Sequence, residues 1–396
     1  LVAALGYFVD IYDLLLFGMV RVPSLIGLGV PQAQVLAQGA FLQNMQMGGL
    51  LLGGILWGVL GDKRGRLSVL FGSIILYSIA NLLNGLVVSV EQYGVLRLLA
   101  GVGLAGELGA GITLVSEIMP KESRGWGTSI VAAVGILGAV VGYGVADLST
   151  WRHAFFIGGG LGILLLLLRV GVAESGMFKK ALSAGSKRGD FFMLFTDRGR
   201  LFKYLRIIAI GLPLWYLVGI LIIFSPEIGK SFGLAAAPKA GPAVALCYIG
   251  LAAGDFFSGM VSQWLHSRVK AVALFMLAQA VGVVFYFTFG RTSLEAFYAC
   301  CVFLGLAGGY WALFVTIGAE QFGTNIRSTV ATTVPNMVRG ATVPMTLAFV
   351  WFQSHCSLSP SVSALGVAAV VFALAVWGLA GLEETFHKDL DYVELI

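Results

Sequence analysis

Charge is the first thing this sequence has little of: Asp, Glu, Lys and Arg make up 11% of the 396 residues, against 58% hydrophobic. Soluble domains carry about 25% charged residues, so a water-facing globular surface is excluded. Cysteine is equally scarce. Of the four, Cys247, Cys300 and Cys301 fall in apolar runs and Cys356 lies near the end of one, which excludes a disulfide framework or a metal site. The four histidines (153, 266, 355 and 387) all lie near run boundaries, so none is expected to carry protons in the interior. A phosphate-cradling loop is missing as well. The glycines Gly101, Gly103, Gly106, Gly109 and Gly111 stand inside an apolar run with no strand before them, and they read as a helix face made for close packing. No cofactor is expected.

What the chain has in quantity is apolar runs of roughly 20 residues, the length that crosses a bilayer core of about 30 Å. Twelve are found, at 1–23, 37–60, 67–89, 92–116, 125–147, 153–170, 203–225, 242–263, 269–290, 294–317, 328–352 and 361–381. The first carries two acids where a signal peptide has its apolar core, so it reads as a retained span. The sequence opens on Leu1, and a few residues are expected to precede it. Eighteen of the 25 lysines and arginines fall in the loops and tail of one side and five on the other, with Arg97 and Arg339 inside spans. The positive-inside rule makes the basic side cytoplasmic, with both termini there. This asymmetry accounts for the net charge of +5 without a nucleic-acid partner.

The one long polar loop, 171–202, divides the chain into a six-helix half (1–170), the loop, a second six-helix half (203–381) and a tail (382–396). A repeat supports the division. Glu117 and Arg124 follow the fourth span, and Glu320 and Arg327 follow the tenth at the same spacing, 203 residues later. GDKRGR (61–66) is echoed more weakly by WLHSRVK (264–270). Duplicated six-helix units are a recurrent transporter plan, with the solute held between the halves near the bilayer midplane. Asp62, Arg64, Arg66, Glu117, Arg124, Glu320 and Arg327 form the expected cytoplasmic gate, closed by charge pairs and helix-end contacts.

Ionisable groups inside spans are costly and mark translocation paths. Counting about 1.5 Å per residue from the outer boundary puts Asp13 about 15 Å and Asp10 about 20 Å deep. Arg97 reaches down from the fourth span, which pairs it with Asp13, and Glu107 comes nearer the depth of Asp10. Two carboxylates in a poorly solvated cavity repel, so the pair can share a proton. Protonation that releases Arg97 would then couple H⁺ to carrier reorientation. Arg339, in the eleventh span, has no acid on its own helix and needs either an anionic solute or Asp255 of the eighth span.

GVLGDKRGRLSVLFG resembles the loop signature of the major facilitator superfamily, and RLLAGVGLAGELGAGITLVSE followed by Pro120, Arg124 and Gly125 is similar to its fourth-helix signature in sugar porters and metabolite:proton symporters. The acid-x-Tyr-Asp pattern of Asp10, Tyr12 and Asp13 and the GELGA run are most similar to the metabolite:proton symporters. LEETFHKDLD (382–391) is similar to the family's tail motif. The family usually has Glu where this chain has Asp10, and Leu265 stands near an expected Asp. The resemblance implies an all-α membrane protein of twelve helices in two six-helix bundles, a multi-pass monomer of the inner membrane. It further implies a cavity lined by the first, seventh and tenth spans, hence by Tyr12, Trp215, Tyr216, Tyr310 and Trp311, with Gln43, Asn44, Gln46, Asn336 and Thr333 as polar additions.

The expected activity is secondary active transport of a small carboxylate or zwitterion by alternating access, coupled to proton symport. A proton-antiporting exporter or a uniporter of the same fold is the alternative. A distant rival is an intramembrane aspartyl protease, to which Tyr12-Asp13 and Gly254-Asp255 give a partial match that fails at Ala252.

Overall fold

The computed structural model describes residues 2–64, 66–118, 124–169, 191–323 and 326–386, and every regular element among them is helical. The first six spans are α1 (Val2–Gly27), α2 (Val35–Arg64), α3 (Arg66–Asn84), α4 (Val90–Ile118), α5 (Arg124–Leu148) and α6 (Trp151–Arg169). A one-turn α7 (Met193–Thr196) leads into α8 (Arg198–Tyr216), which Asp197 caps by accepting from Arg200 N. There follow α9 (Ser225–Ser231), α10 (Ala240–Trp264), α11 (Arg268–Thr288), α12 (Leu294–Gly308), α13 (Trp311–Glu320), α14 (Arg327–Gly340), α15 (Thr342–His355) and α16 (Pro360–Ala380). Ser267, Ser293 and Ser359 are the N-caps of α11, α12 and α16, each accepting from a backbone N–H three residues on.

All twelve apolar runs are helical, as hydrocarbon requires of a chain that must satisfy its own backbone. Three are not the continuous rods that run length alone predicts. The seventh passes from α8 into a π-helical turn, Leu217–Ile222, and bends at Phe224 before α9. The tenth breaks at Gly309 and Tyr310, and the eleventh at Ala341. The first two breaks matter because they leave backbone groups free to bind side chains.

Within the first half α1 packs on α5 and α6, and α3 on α4 and α6. In the second, α8 packs on α16 and α11 on α12. Two of the close helix pairs are α2 with α4 and α10 with α12, and here the duplication is visible in atoms. A Cβ on Gly49 or Gly53 would meet the Leu98 or Val102 carbonyl of α4; 201 residues later, one on Gly250 or Gly254 would meet the Val302 or Leu306 carbonyl of α12. Only glycine permits that approach. The halves meet where α14 and α15 lie against α2, and where α10 lies against α5 and α1.

Candidate functional site

Arg339 ends α14 at the centre of the molecule and is 1% exposed. Its Nη2 lies 3.9 Å from Asp10 Oδ2 of α1, and its guanidinium sits 5.6 Å from the Trp215 ring and 5.7 Å from that of Trp311. Both rings lend the buried cation cation–π stabilisation. Nε and Nη1 of Arg339 have no protein hydrogen-bond acceptor. They adjoin a small cavity of about 30 Å³ between the halves, lined by Tyr7, Ile11, Trp215, Tyr248, Trp311 and Arg339 among others. That is room for a water or two, far below the about 300–1,000 Å³ of a small-molecule pocket. The central site is therefore collapsed, and solute entry requires the halves to move apart.

Asp255 is not the partner of Arg339. The break at Gly309 and Tyr310 leaves the first N–H groups of α13 free, and Asp255 caps them, accepting from Ala312 N at 3.2 Å and from Trp311 N. Asp10 takes the place beside Arg339 and lies in the field of both that cation and Glu107, a buried acid of α4.

Three of the five aromatic residues expected in the cavity are bolts within a half. Tyr12 donates to Ala154 O, Tyr216 to Ala364 O and Tyr310 to Ile210 O, each at 2.9 Å. A buried phenol must satisfy its hydroxyl, and a carbonyl on the next helix does so. Trp215 and Trp311 do line the cavity. The residues missed are Tyr7 and Tyr248. Tyr7 stands three before Asp10 and Tyr248 seven before Asp255, so helical periodicity places each on the face of a buried acid.

The polar candidates join backbone rather than each other. Gln43 donates to Gly219 O at 2.9 Å and Asn336 to Ala105 O at 3.1 Å, both across the halves, while Gln46 reaches Leu14 O at 3.4 Å within the first. Gly219 lies in the π-helical turn, whose loosened ladder leaves its carbonyl for Gln43. Thr333 accepts from Tyr204 at 2.9 Å. Asn44 is half-buried and does not line the central cavity.

Asp13 and Arg97 are both fully buried, yet no ion pair joins them. Arg97 instead lies over Phe17 at 4.9 Å and Phe155 at 5.7 Å, and Asp13 faces Asn81 with Arg97 as its nearest countercharge. The expected pair is a partnership through space, with the guanidinium set against the two rings.

At the end of the bundle where α1 finishes, Arg21 and Glu227 join the halves at 2.7 Å. At the opposite end Glu320 grips Arg268 through Nε at 2.6 Å and Nη2 at 2.8 Å, and Thr385 donates to the same carboxylate at 2.7 Å. Arg268 belongs to the weaker loop echo, so Glu320 takes a partner there. Arg64 is exposed, and the side chains of Asp62, Arg66, Glu117, Arg124 and Arg327 lie outside the described residues. Among the described residues no cluster of metal-ligating side chains occurs.

The Major Facilitator Superfamily model matches residues 3–341. A putative metabolite transport protein of Haemophilus influenzae is 28% identical over 402 residues, covering 94% of both chains. A probable 4-methylmuconolactone transporter of Cupriavidus pinatubonensis is 25% identical, over 96% of this chain and 89% of its own. A benzoate transport protein of Acinetobacter baylyi is 30% identical over 175 residues, 42% of this chain and 37% of its own. Among solved structures, a proton:xylose symporter bound to 6-bromo-6-deoxy-D-glucose superposes with a TM-score of 0.73 at 18% identity, covering 98% of this chain and 96% of its own.

Proposed function

Because the chain belongs to the major facilitator superfamily, and is thus a membrane transporter of metabolites and not an enzyme, we propose that it imports a small organic carboxylate or zwitterion together with protons. The observation that carries this reading is Arg339. A buried guanidinium held between two indoles, with a loose acid partner and two nitrogens lacking acceptors beside the central cavity, is suited to bind a carboxylate bidentately. The flat walls of Trp215 and Trp311 favour a solute with an aromatic or unsaturated body. The names of the Cupriavidus and Acinetobacter relatives, for 4-methylmuconolactone and benzoate, are in keeping with that choice.

Proton coupling rests on Asp13, buried beside Asn81 and Arg97 with no ion pair to the guanidinium. When Asp13 is ionised, the two charges attract across the helix gap. Taking up H⁺ removes that attraction and lowers the cost of carrying the site through a dry, closed state. The carrier works as a monomer in the inner membrane, since one chain supplies both halves. Both termini face the cytoplasm, so Arg21 lies on the outer face and Glu320 on the inner.

Uptake into liposomes tests the proposal. An imposed inward proton gradient should drive accumulation of benzoate-like acids in the wild type, and Asp13→Asn should abolish accumulation while leaving counterflow exchange. Gradient-independent equilibration would make the protein a uniporter, and accumulation driven by an opposite gradient an exporter.

A further inference from the structure

The interior of the first half holds a run of polar groups that no role above uses. Ser78, Asn81 and Asn84 stand at i, i+3 and i+6 on one face of α3, each at most 1% exposed, in a helix otherwise apolar there. Ser78 Oγ, Asn81 Nδ2, Asn84 Oδ1, both oxygens of Asp13 and all three nitrogens of Arg97 lack protein hydrogen-bond partners. Within the run Asn84 Nδ2 donates to Asn81 Oδ1 only at a long 3.5 Å. Buried polar groups are almost always satisfied, by protein or by ordered water. The facing helix makes room for them: a Cβ on Gly158 would collide with Asp13 Oδ1, and one on Gly162 with Ser78 Oγ.

The run also leads somewhere. Ser78 to Asn84 covers about 9 Å of helix axis at about 1.5 Å per residue. Asn84 is the last residue of α3, beside the turn where Arg152 binds Gly85 O and Val87 O at 2.8 and 2.9 Å. Asn81, the middle member of the run, adjoins Asp13. The charged and titratable groups facing Asp13 are Arg97 of α4 and Asp10 and Tyr12 of its own helix. On α3 the neighbour is the neutral Asn81, and on α6 it is Gly158.

We infer that the α1–α3–α4–α6 interior is a hydrated proton-binding site with its own access route along Ser78, Asn81 and Asn84, separate from the solute cavity between the halves. The inference rests on the proton-symport reading and adds a path to it. A proton enters from hydronium at the outer end of α3 and passes between waters held by the three side chains. It ends on a carboxylate oxygen of Asp13, leaving neutral water behind and a neutral acid beside Arg97. The adjacent guanidinium disfavours a second cation, such as a sodium ion, at these oxygens. Solute and proton thus reach the carrier by different doors.

The test is proton-driven uptake of benzoate-like acids into liposomes by the full-length carrier. Asn81→Leu should slow accumulation by about tenfold or more, the rate equivalent of one lost hydrogen-bonded relay, with counterflow exchange unchanged. Asn81→Ser should restore it. Wild-type accumulation in both Asn81→Leu and Asn84→Leu would overturn the route, while loss in Asp13→Asn would leave the coupling reading standing. Accumulation in Asp13→Asn would remove both, and accumulation driven by a sodium gradient would replace the proton. Should the leucine variants fail to fold, hydroxyl-radical labelling of the wild type decides the matter. Phe17 and Phe155, fully buried beside the run, should be modified by radicals born from local water; their complete protection would overturn the hydrated site.

Discussion

Arg21 of α1 donates through Nη2 to both carboxylate oxygens of Glu227 at 2.7 Å, and so ties the first half of the molecule to the second. Arg21 is fully buried, lies 4.6 Å from the Phe224 ring and reaches Ile223 O at 3.3 Å. Gly39 is needed for this arrangement, since a Cβ there would strike the Arg21 side chain. Removing one partner of a buried pair costs about 3–5 kcal/mol, and here that cost falls on the state in which the halves are joined at this end. Glu227→Gln should therefore expose the central cavity. The measurement is alkylation of Leu14→Cys, a cavity-lining position, by an impermeant maleimide in a Cys356→Ser background. A labelling rate equal to that of the parent would show that the pair is no latch.

Arg339 gives a second prediction. Losing a charge-assisted hydrogen bond to a carboxylate removes about 1.5–3 kcal/mol, or roughly tenfold to over a hundredfold in Kd. Arg339→Gln should weaken benzoate binding by that factor in calorimetry. Arg339→Lys should recover little, because an ammonium has neither the planar fork nor the stacking surface that Trp215 and Trp311 meet. Full recovery by lysine would assign the residue a purely electrostatic role.

At the end of the bundle opposite Arg21, Glu384 supplies a pH dependence. Burial alone would raise its carboxyl, but donation from the Ser267 hydroxyl and from the backbone N–H groups of Arg268, Phe386 and Thr385 outweighs it and holds the group below the usual carboxylate range. A group whose folded pKa is depressed adds stability above its unfolded value, about 4.3, and loses it as pH falls through the lower folded value. The tail that follows α16 should thus stay docked on α11 at neutral pH and loosen in acid. Thermal melts from pH 7 to pH 3 should show a smaller acid loss in Glu384→Gln than in the parent; parallel curves would sink the assignment.

Much of this architecture was open to reading from composition and repeats. Twelve runs of apolar length can only be helices in hydrocarbon, and the Glu117/Arg124 and Glu320/Arg327 spacing marks the duplication that Gly53 and Gly254 realise in backbone contact. The site was legible in part. Buried charge identifies Asp10, Asp13, Arg97 and Arg339 from sequence, since hydrocarbon allows no idle ones. Their pairing was not, because depth gives one coordinate and pairing needs three. Asp255 went to α13 once the chain broke at Gly309, and a break of that kind leaves only a glycine as its trace. Tyr12 and Tyr7 differ in role by their direction around α1, which the acid-x-Tyr-Asp pattern does not report.

The helix contacts themselves make a prediction with opposite signs at two glycines. A Cβ on Gly305 of α12 would land on the Cys247 carbonyl of α10, backbone that cannot step aside, whereas one on Gly160 of α6 meets nothing within 4 Å. Gly305→Ala should therefore force the helices apart and destabilise the carrier by about 1–3 kcal/mol, the usual cost of overpacking. Gly160→Ala only removes a flexible residue from a helix interior, and should stabilise by about 0.5–1 kcal/mol. Unfolding of the purified protein in detergent, followed by intrinsic fluorescence, reads both. If Gly305→Ala proves as stable as the parent, α10 and α12 do not pack backbone to backbone, and the duplicated helix contact that frames the cavity is absent from the second half.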